Sequence, residues 1–109
     1  MILNENSASA SEALYGAIYD YSVKNNFNLK TVISSSIKNE QTVYKSYGKG
    51  IMQTTYLNSD GSAVKLTTAK LYWPLSETCI HDVGITTALK YGNIICADKE
   101  NALQVALSI

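Results

Sequence analysis

The chain has 109 residues, 46% of them hydrophobic, and its nine basic and nine acidic side chains give a net charge of zero. This length predicts one domain with a modest core, and the neutral balance gives no electrostatic reason to bind nucleic acid or an anionic membrane. No apolar run approaches the roughly 18 residues of a membrane span, and Glu5 and Asn6 come too early for a signal peptide.

The chain begins with a predicted strand, turn and helix. Met1–Asn4 is short and apolar, a polar turn follows, and apolar side chains then recur at helical spacing at Ala13, Leu14, Ala17, Ile18 and Tyr21. Ser9 is therefore expected at the helix N-terminus, where unpaired backbone N–H groups and the helix dipole favour negative charge. Two interpretations remain open: Ser7, Ser9 and Ser11 are helix caps, or a nucleophile lies among them.

Short strands are predicted at Thr31–Ser35 and Thr42–Ser46, and a lysine-bearing loop follows them. Lys49 has a glycine on each side, and no acidic residue occurs from 45 to 57. A lysine acts as a general base only where desolvation and the lack of a carboxylate partner favour its neutral form. The segment is therefore either a loop that carries a base or an ordinary turn with a solvated lysine.

The middle of the chain predicts a β-hairpin. Ile51–Leu57 and Ala63–Trp73 are expected to pair across the turn Asn58–Ser62, and the alternation of Val64 and Leu66 with polar neighbours indicates one buried face. The expected core includes Leu66 and Ile18, and the expected exposed positions are Lys24, Asn26 and Lys38.

The last elements are a strand at Asn93–Cys96 and a terminal helix. Asp98 is expected to cap that helix, which continues through Ala102, Leu103, Val105 and Ala106. The sequence of Val83–Tyr91 permits either a helix or an extended loop.

The two cysteines and the single histidine suggest weaker alternatives. Cys79 and Cys96 lack C-x-x-C spacing and are interpreted as buried thiols, and the eight tyrosines as packing residues. His81 could serve as a base for Ser9 or Cys79, although a lone histidine beside an acidic neighbour is more often a surface side chain. Cys79 and His81 could also share a strand face as zinc ligands, but no second pair of ligands accompanies them.

Several ordered motifs together resemble the carboxyl-terminal processing peptidases, also called tail-specific proteases. That family has a Ser-Ala-Ser-Ala-Ser-Glu stretch, a Tyr/Phe-Gly-Lys-Gly-x-x-Gln stretch, an Asp-Gly-Ser-x-x-Lys-Leu-Thr-Thr-Ala hairpin, a proline, an Ile-x-Gly-x-Gly-Ile segment and a closing Asp-x-x-Leu-x-x-Ala-Leu helix. The corresponding segments here are Ser7–Glu12, Tyr47–Gln53, Asp60–Lys70, Pro74, Ile80–Ile85 and Asp98–Leu107.

The resemblance implies a Ser/Lys dyad. Ser9 would be the nucleophile, Lys49 the general base and the Ala10 N–H one oxyanion donor, with Asp20 and Gln53 in supporting positions. Asp20 lies eleven residues beyond Ser9, roughly 16 Å along a helix, so it is expected to support the structure and not to orient the base.

The resemblance also implies the fold and the function. It predicts an α/β catalytic core of the ClpP/crotonase-like type, a serine-type endopeptidase that needs no cofactor or metal, a peptide or protein substrate and an extracytoplasmic parent protein. Residues 1–109 would be the C-terminal part of the catalytic domain, without the PDZ domain and upstream oxyanion segment, and 24–41 a surface insertion. The alternative is a non-catalytic remnant or fragment that binds peptides or self-associates through an open strand edge.

Overall fold

The computed structural model describes residues 1–89 and 91–109. Within them the elements follow in the order β1 (Ile2–Leu3), α1 (Ala10–Asn25), β2 (Lys30–Ser34), β3 (Ser36–Lys38), β4 (Gln41–Val43), β5 (Ile51–Leu57), β6 (Ala63–Lys70), β7 (Asn93–Ala97) and α2 (Ala102–Ser108). The predicted α/β class is confirmed. Neither helix in these ranges is long and apolar enough to cross a membrane.

A three-stranded parallel sheet in the order β1-β2-β7 forms the centre of the molecule. The central strand β2 carries Thr31, Val32 and Ile33, which are all fully buried. A short run of this kind is typical of a parallel strand that is covered on both faces. The proposed surface insertion at 24–41 is therefore wrong, because that segment contains the central strand.

The two helices cover opposite faces of this sheet. On one side, Tyr15 and Tyr19 of α1 pack with Leu3 and Trp73, and the Tyr15 hydroxyl contacts Thr31 Oγ1 at 3.0 Å. On the other side, α2 packs against Val32 through Ala102, Val105, Ala106 and Ile109. The alternation of the β2 side chains thus divides the core into two layers.

The α1 layer depends on one close approach between a helix and a ring. A Cβ at Gly16 would lie 2.1 Å from Trp73 Nε1, so only glycine lets the indole pack directly on the helix. The Trp73 ring lies 5.4 Å from the Tyr19 ring and 6.1 Å from the Tyr15 ring, in tilted arrangements typical of aromatic pairs. Ile18 is only half-buried, although it packs against this cluster as expected.

The predicted hairpin forms, but its buried face does not. β5 and β6 pair in antiparallel register with Tyr56 opposite Val64 and an irregularity at Met52/Gln53. Every residue of β6 is exposed, Leu66 by 51%, because no other helix or strand of the described chain contacts the hairpin. The placement of Leu66 in the core is therefore wrong, whereas Lys24, Asn26 and Lys38 are exposed as expected.

The C-terminal third also differs in detail from the prediction. The N-cap of α2 is Asn101, not Asp98, whose carbonyl accepts the Asn101 N–H in a preceding turn. Residues 83–89 are turns and loop, and position 90 of the ambiguous segment lies outside the described residues. Cys96 is exposed on β7 and Cys79 is half-buried, so neither is the buried thiol expected.

Candidate active site

Ser9 occupies a sharp junction between β1 and α1. It is the N-cap residue of the helix, and its backbone has φ 53° and ψ −109°. Non-glycine residues rarely adopt such positive φ values, and strained residues of this kind cluster at functional sites. The neighbouring serines stabilise the turn: Ser7 Oγ accepts the Asn4 N–H at 3.1 Å, and Ser11 Oγ donates to the Ala8 carbonyl at 2.8 Å. The cap interpretation and the nucleophile interpretation of Ser9 are thus compatible.

The buried carboxylate of Glu12 links this turn to the lysine loop. Glu12 is 1% exposed. Its Oε1 accepts the Ser46 hydroxyl and the Gly48 N–H, the latter at 2.7 Å. Its Oε2 accepts the N–H groups of Ser9 and Lys49, each at 2.9 Å. Because both nitrogens lie 2.9 Å from the same oxygen, the backbone nitrogens of Ser9 and Lys49 are at most twice 2.9 Å apart.

The backbone around Lys49 is also held from its other side. The Gly48 carbonyl accepts the Asp82 N–H at 2.9 Å, and the Gly50 N–H donates to His81 Nδ1 at 3.3 Å. Both glycines are needed for this packing: Gly48 has φ +91°, and a Cβ at Gly50 would lie 2.9 Å from the His81 backbone nitrogen. The backbone of the Gly-Lys-Gly loop is therefore packed against neighbouring segments, and Lys49 itself is half-buried.

A small cleft of about 30 Å³ lies beside Ser9 and Lys49. This is room for about one water molecule. Apolar side chains make up much of its wall, together with Glu12, Gly50 and Tyr72; the apolar members are Ala13, Leu71, Trp73, Pro74 and Ile80. Ser9 and Lys49 are both half-buried beside this partly apolar wall.

The remaining predicted site residues lie in different places. Ala10 is the exposed first residue of α1, next to the cleft. Asp20 is 3% exposed, and its Oδ2 accepts the Leu75 and Ser76 N–H groups, each at 2.8 Å, so it holds the loop after Pro74. Gln53 is exposed on β5 and does not line the cleft.

Sequence reasoning missed the roles of Glu12 and Ser46. Ser46 is fully buried, and its Oγ accepts the Ile85 N–H at 2.6 Å while it donates to Glu12. The signal for Glu12 was available, because Ser9 and Glu12 have the Ser-x-x-Glu spacing of a capping box. Nothing local in the sequence indicates a partner for Ser46.

The alternative sites suggested by the sequence do not assemble in residues 1–89 and 91–109. Hydrogen bonds of the His81 ring lead neither to Ser9 nor to Cys79, and its Nε2 faces Asp82 Oδ2 at 3.5 Å. This contact is an ion pair only when His81 is protonated, and within the same residues Lys49 has no carboxylate partner. The same residues hold no cluster of three His, Cys, Asp or Glu side chains suited to a metal ion.

Comparison with known proteins identifies the family of this chain. The model of the family described as peptidase family S41 matches residues 1–91. The CtpA-like serine protease of Staphylococcus saprophyticus is 40% identical over 88 residues, which are 79% of this chain and 14% of that protein. The CtpA-like serine proteases of Staphylococcus epidermidis and Staphylococcus aureus are 39% and 38% identical over 85 and 87 residues. Each of these matches covers 78% of this chain and 14% of the relative. The chain thus spans about 14% of the length of the curated relatives it matches.

Proposed function

This chain belongs to peptidase family S41, and we propose on that premise that it carries the Ser/Lys dyad of a serine-type peptidase. In this proposal Ser9 is the nucleophile, Lys49 is the general base and the Ala10 N–H stabilises the oxyanion. The observation that carries it is the shared carboxylate oxygen of Glu12, which accepts the N–H groups of both Ser9 and Lys49 at 2.9 Å. That oxygen holds the backbones of Ser9 and Lys49 next to each other, and both residues line the same cleft.

The proposed reaction proceeds in two steps through an acyl-enzyme. The Ser9 oxygen attacks a peptide carbonyl carbon while its proton passes to Lys49 Nζ, and the carbonyl oxygen becomes an oxyanion beside the Ala10 N–H. Collapse breaks the C–N bond, and the Lys49 ammonium returns the proton to the departing amine. Water then attacks the ester carbonyl while Lys49 takes its proton, the ester C–O bond to Ser9 breaks, and the Lys49 ammonium returns the proton to the Ser9 oxygen as the acid leaves.

The surroundings favour these roles. Lys49 and Ser9 line the same partly apolar cleft, which places the proposed base next to the proposed nucleophile. Ala10 is the first residue of α1, and the first N–H groups of a helix have no partner within it. Asp20 supports the wall by holding the loop that follows Pro74.

We extend the proposal to the parent protein on the basis of the family resemblance. Residues 1–109 would form the C-terminal part of a ClpP/crotonase-like catalytic domain, its substrates would be the C-terminal regions of proteins outside the cytoplasm, and no metal or cofactor would be needed. The central parallel sheet covered by α1 and α2 is compatible with such a core.

The dyad is tested with a fluorophosphonate probe, which forms an O–P bond to an activated serine and releases fluoride. We expect mass spectrometry to locate the label at Ser9, and Ser9→Ala to abolish it. Lys49→Ala and Lys49→Arg should each slow labelling about 10²-fold or more, because guanidinium does not give up its proton. The matched controls Ser59→Ala, in the exposed hairpin turn, and Lys45→Ala should label normally. Normal labelling of Lys49→Arg would contradict the proposal, and peptide cleavage by the same variants provides a second readout.

A second candidate function, self-association, is favoured by the hairpin. The outer edges of β5 and β6 are unpaired, and Tyr56, Val64 and Leu66 are exposed on one face. Open strand edges recruit further strands, so a second copy pairing along the hairpin is the proposed partner. Sedimentation should show dimers that are lost when lysine replaces Tyr56, and a monomer at all concentrations would exclude this function.

A further inference from the structure

We propose that His81 is a positioning residue that couples the placement of Lys49 to pH. The inference rests on the proposed role of Lys49 as a base. It starts from the contact between the Gly50 N–H and His81 Nδ1 at 3.3 Å, which lies one residue beyond Lys49.

The lysine loop is held at consecutive backbone positions by two different segments. Glu12 of α1 accepts the Gly48 and Lys49 N–H groups. Residues 81–82 bind the opposite side, where Asp82 N–H donates to the Gly48 carbonyl and His81 accepts the Gly50 N–H. Of these contacts, only the one to the imidazole uses an acceptor nitrogen that becomes a donor when it binds a proton.

The direction of the effect follows from the two ring nitrogens. Nδ1 accepts a hydrogen bond only while it is unprotonated, so the neutral ring carries its proton on Nε2, which faces Asp82 Oδ2 at 3.5 Å. Protonation of Nδ1 places two donors face to face and breaks the bond to Gly50. Acidification therefore releases the C-terminal side of the Lys49 loop, whereas neutral pH retains it.

The charged neighbours of the ring are few. Asp82 adjoins it in sequence and is 87% exposed, and Lys49 and Glu12 belong to the segments packed against it. The His81 side chain itself is 29% exposed, so protons reach it from solvent without any opening of the fold. Because His81 is the sole histidine of the chain, its titration can be assigned unambiguously.

The test is an NMR titration of the ¹⁵N-labelled 109-residue chain from pH 8 to pH 5. We expect the Gly50 amide proton to move upfield together with the His81 ring signals, because its hydrogen bond is lost. The Gly61 amide, in the distant hairpin turn, is the internal control and should stay in place. In His81→Asn the amide oxygen can replace Nδ1 as the acceptor, so the Gly50 signal should remain near its pH 8 position throughout.

A second experiment measures the pH dependence of fluorophosphonate labelling at Ser9. Labelling of the unmodified chain should fall more steeply on acidification than labelling of His81→Asn, and His81→Leu should be slowed about tenfold or more even at pH 8. A Gly50 amide that does not move while the His81 ring titrates would overturn the inference. Failure of labelling in every variant would instead count against the dyad, and the NMR titration would still decide the role of His81.

Discussion

The junction, where Glu12 meets Ser9, Ser46 and the lysine loop, and the β5–β6 hairpin differ in how fully their side chains contact the rest of the chain. At the junction, the buried carboxylate of Glu12 accepts four hydrogen bonds, from Ser9, Ser46, Gly48 and Lys49. On the hairpin, the two strands pair with one irregularity at Met52/Gln53, but the apolar side chains of β6 face solvent. Stability should therefore depend strongly on single atoms at the junction and weakly on whole side chains of the hairpin.

The largest expected effect is that of Glu12→Ala. Its removal leaves three backbone N–H groups and the Ser46 hydroxyl without their acceptor in a buried site, so we expect a loss of about 3–5 kcal/mol in the free energy of unfolding. Urea denaturation measures it. Glu100→Ala, at an exposed turn, is the matched control and should change stability by less than about 0.5 kcal/mol. Similar losses in the two variants would show that the buried Glu12 matters no more for stability than an exposed glutamate.

A smaller effect is expected for Gly16→Ala. Alanine improves helix propensity by about 0.5–1 kcal/mol, but its Cβ would lie 2.1 Å from Trp73 Nε1, and overpacking typically costs about 1–3 kcal/mol. The net result should be destabilisation. In a double-mutant cycle with Trp73→Leu the two effects should be non-additive, because the smaller side chain relieves the collision. Additive effects would show that Trp73 does not press on α1.

Tyr15→Phe should cost about 1 kcal/mol at neutral pH, because Thr31 loses its buried partner. It should also change the response to alkali. Burial raises the pKa of Tyr15 above its ordinary 10.0, so this tyrosine contributes stability that is fully present below pH 10 and is lost as the pH rises through the folded-state pKa. Thermal melts between pH 9 and pH 11 should thus decline less in the variant, whereas Tyr47→Phe, at an exposed site, should behave like the unmodified chain.

The smallest effect is expected for Leu66→Ala on the hairpin. With half of the side chain already in water and no packed partner element, the loss should stay below about 0.5 kcal/mol in the monomer. Ile33→Val, which removes a single methyl group from the buried strand β2, should cost more, about 0.5–1.5 kcal/mol. A larger loss for Leu66→Ala would mean that another surface covers this face in solution.

Local sequence patterns predicted the elements that depend on short-range signals. The helix after Ser9, the strand at 31–35 and the hairpin across 58–62 were recognisable because periodicity and turn residues act over a few positions. Asp98 was misjudged because a turn of four residues separates the last strand from α2, and several polar residues there could have served as the cap. At the candidate site, sequence motifs point to Ser9 and Lys49. Glu12 lies in the Ser7–Glu12 motif, but the motif does not indicate its buried hydrogen bonds.

The sequence by itself determined the class of the fold, a serine at a helix start and a glycine-flanked lysine, because these depend on residue type and near-neighbour spacing. Tertiary structure alone decided which faces are buried and which groups meet. The alternation of Val64 and Leu66 is the same whether or not a partner covers it. The contacts of Glu12 with Ser46 and Lys49, and of His81 with Gly50, join positions more than thirty residues apart. Contacts of that separation depend on how the layers pack, and no local pattern encodes them.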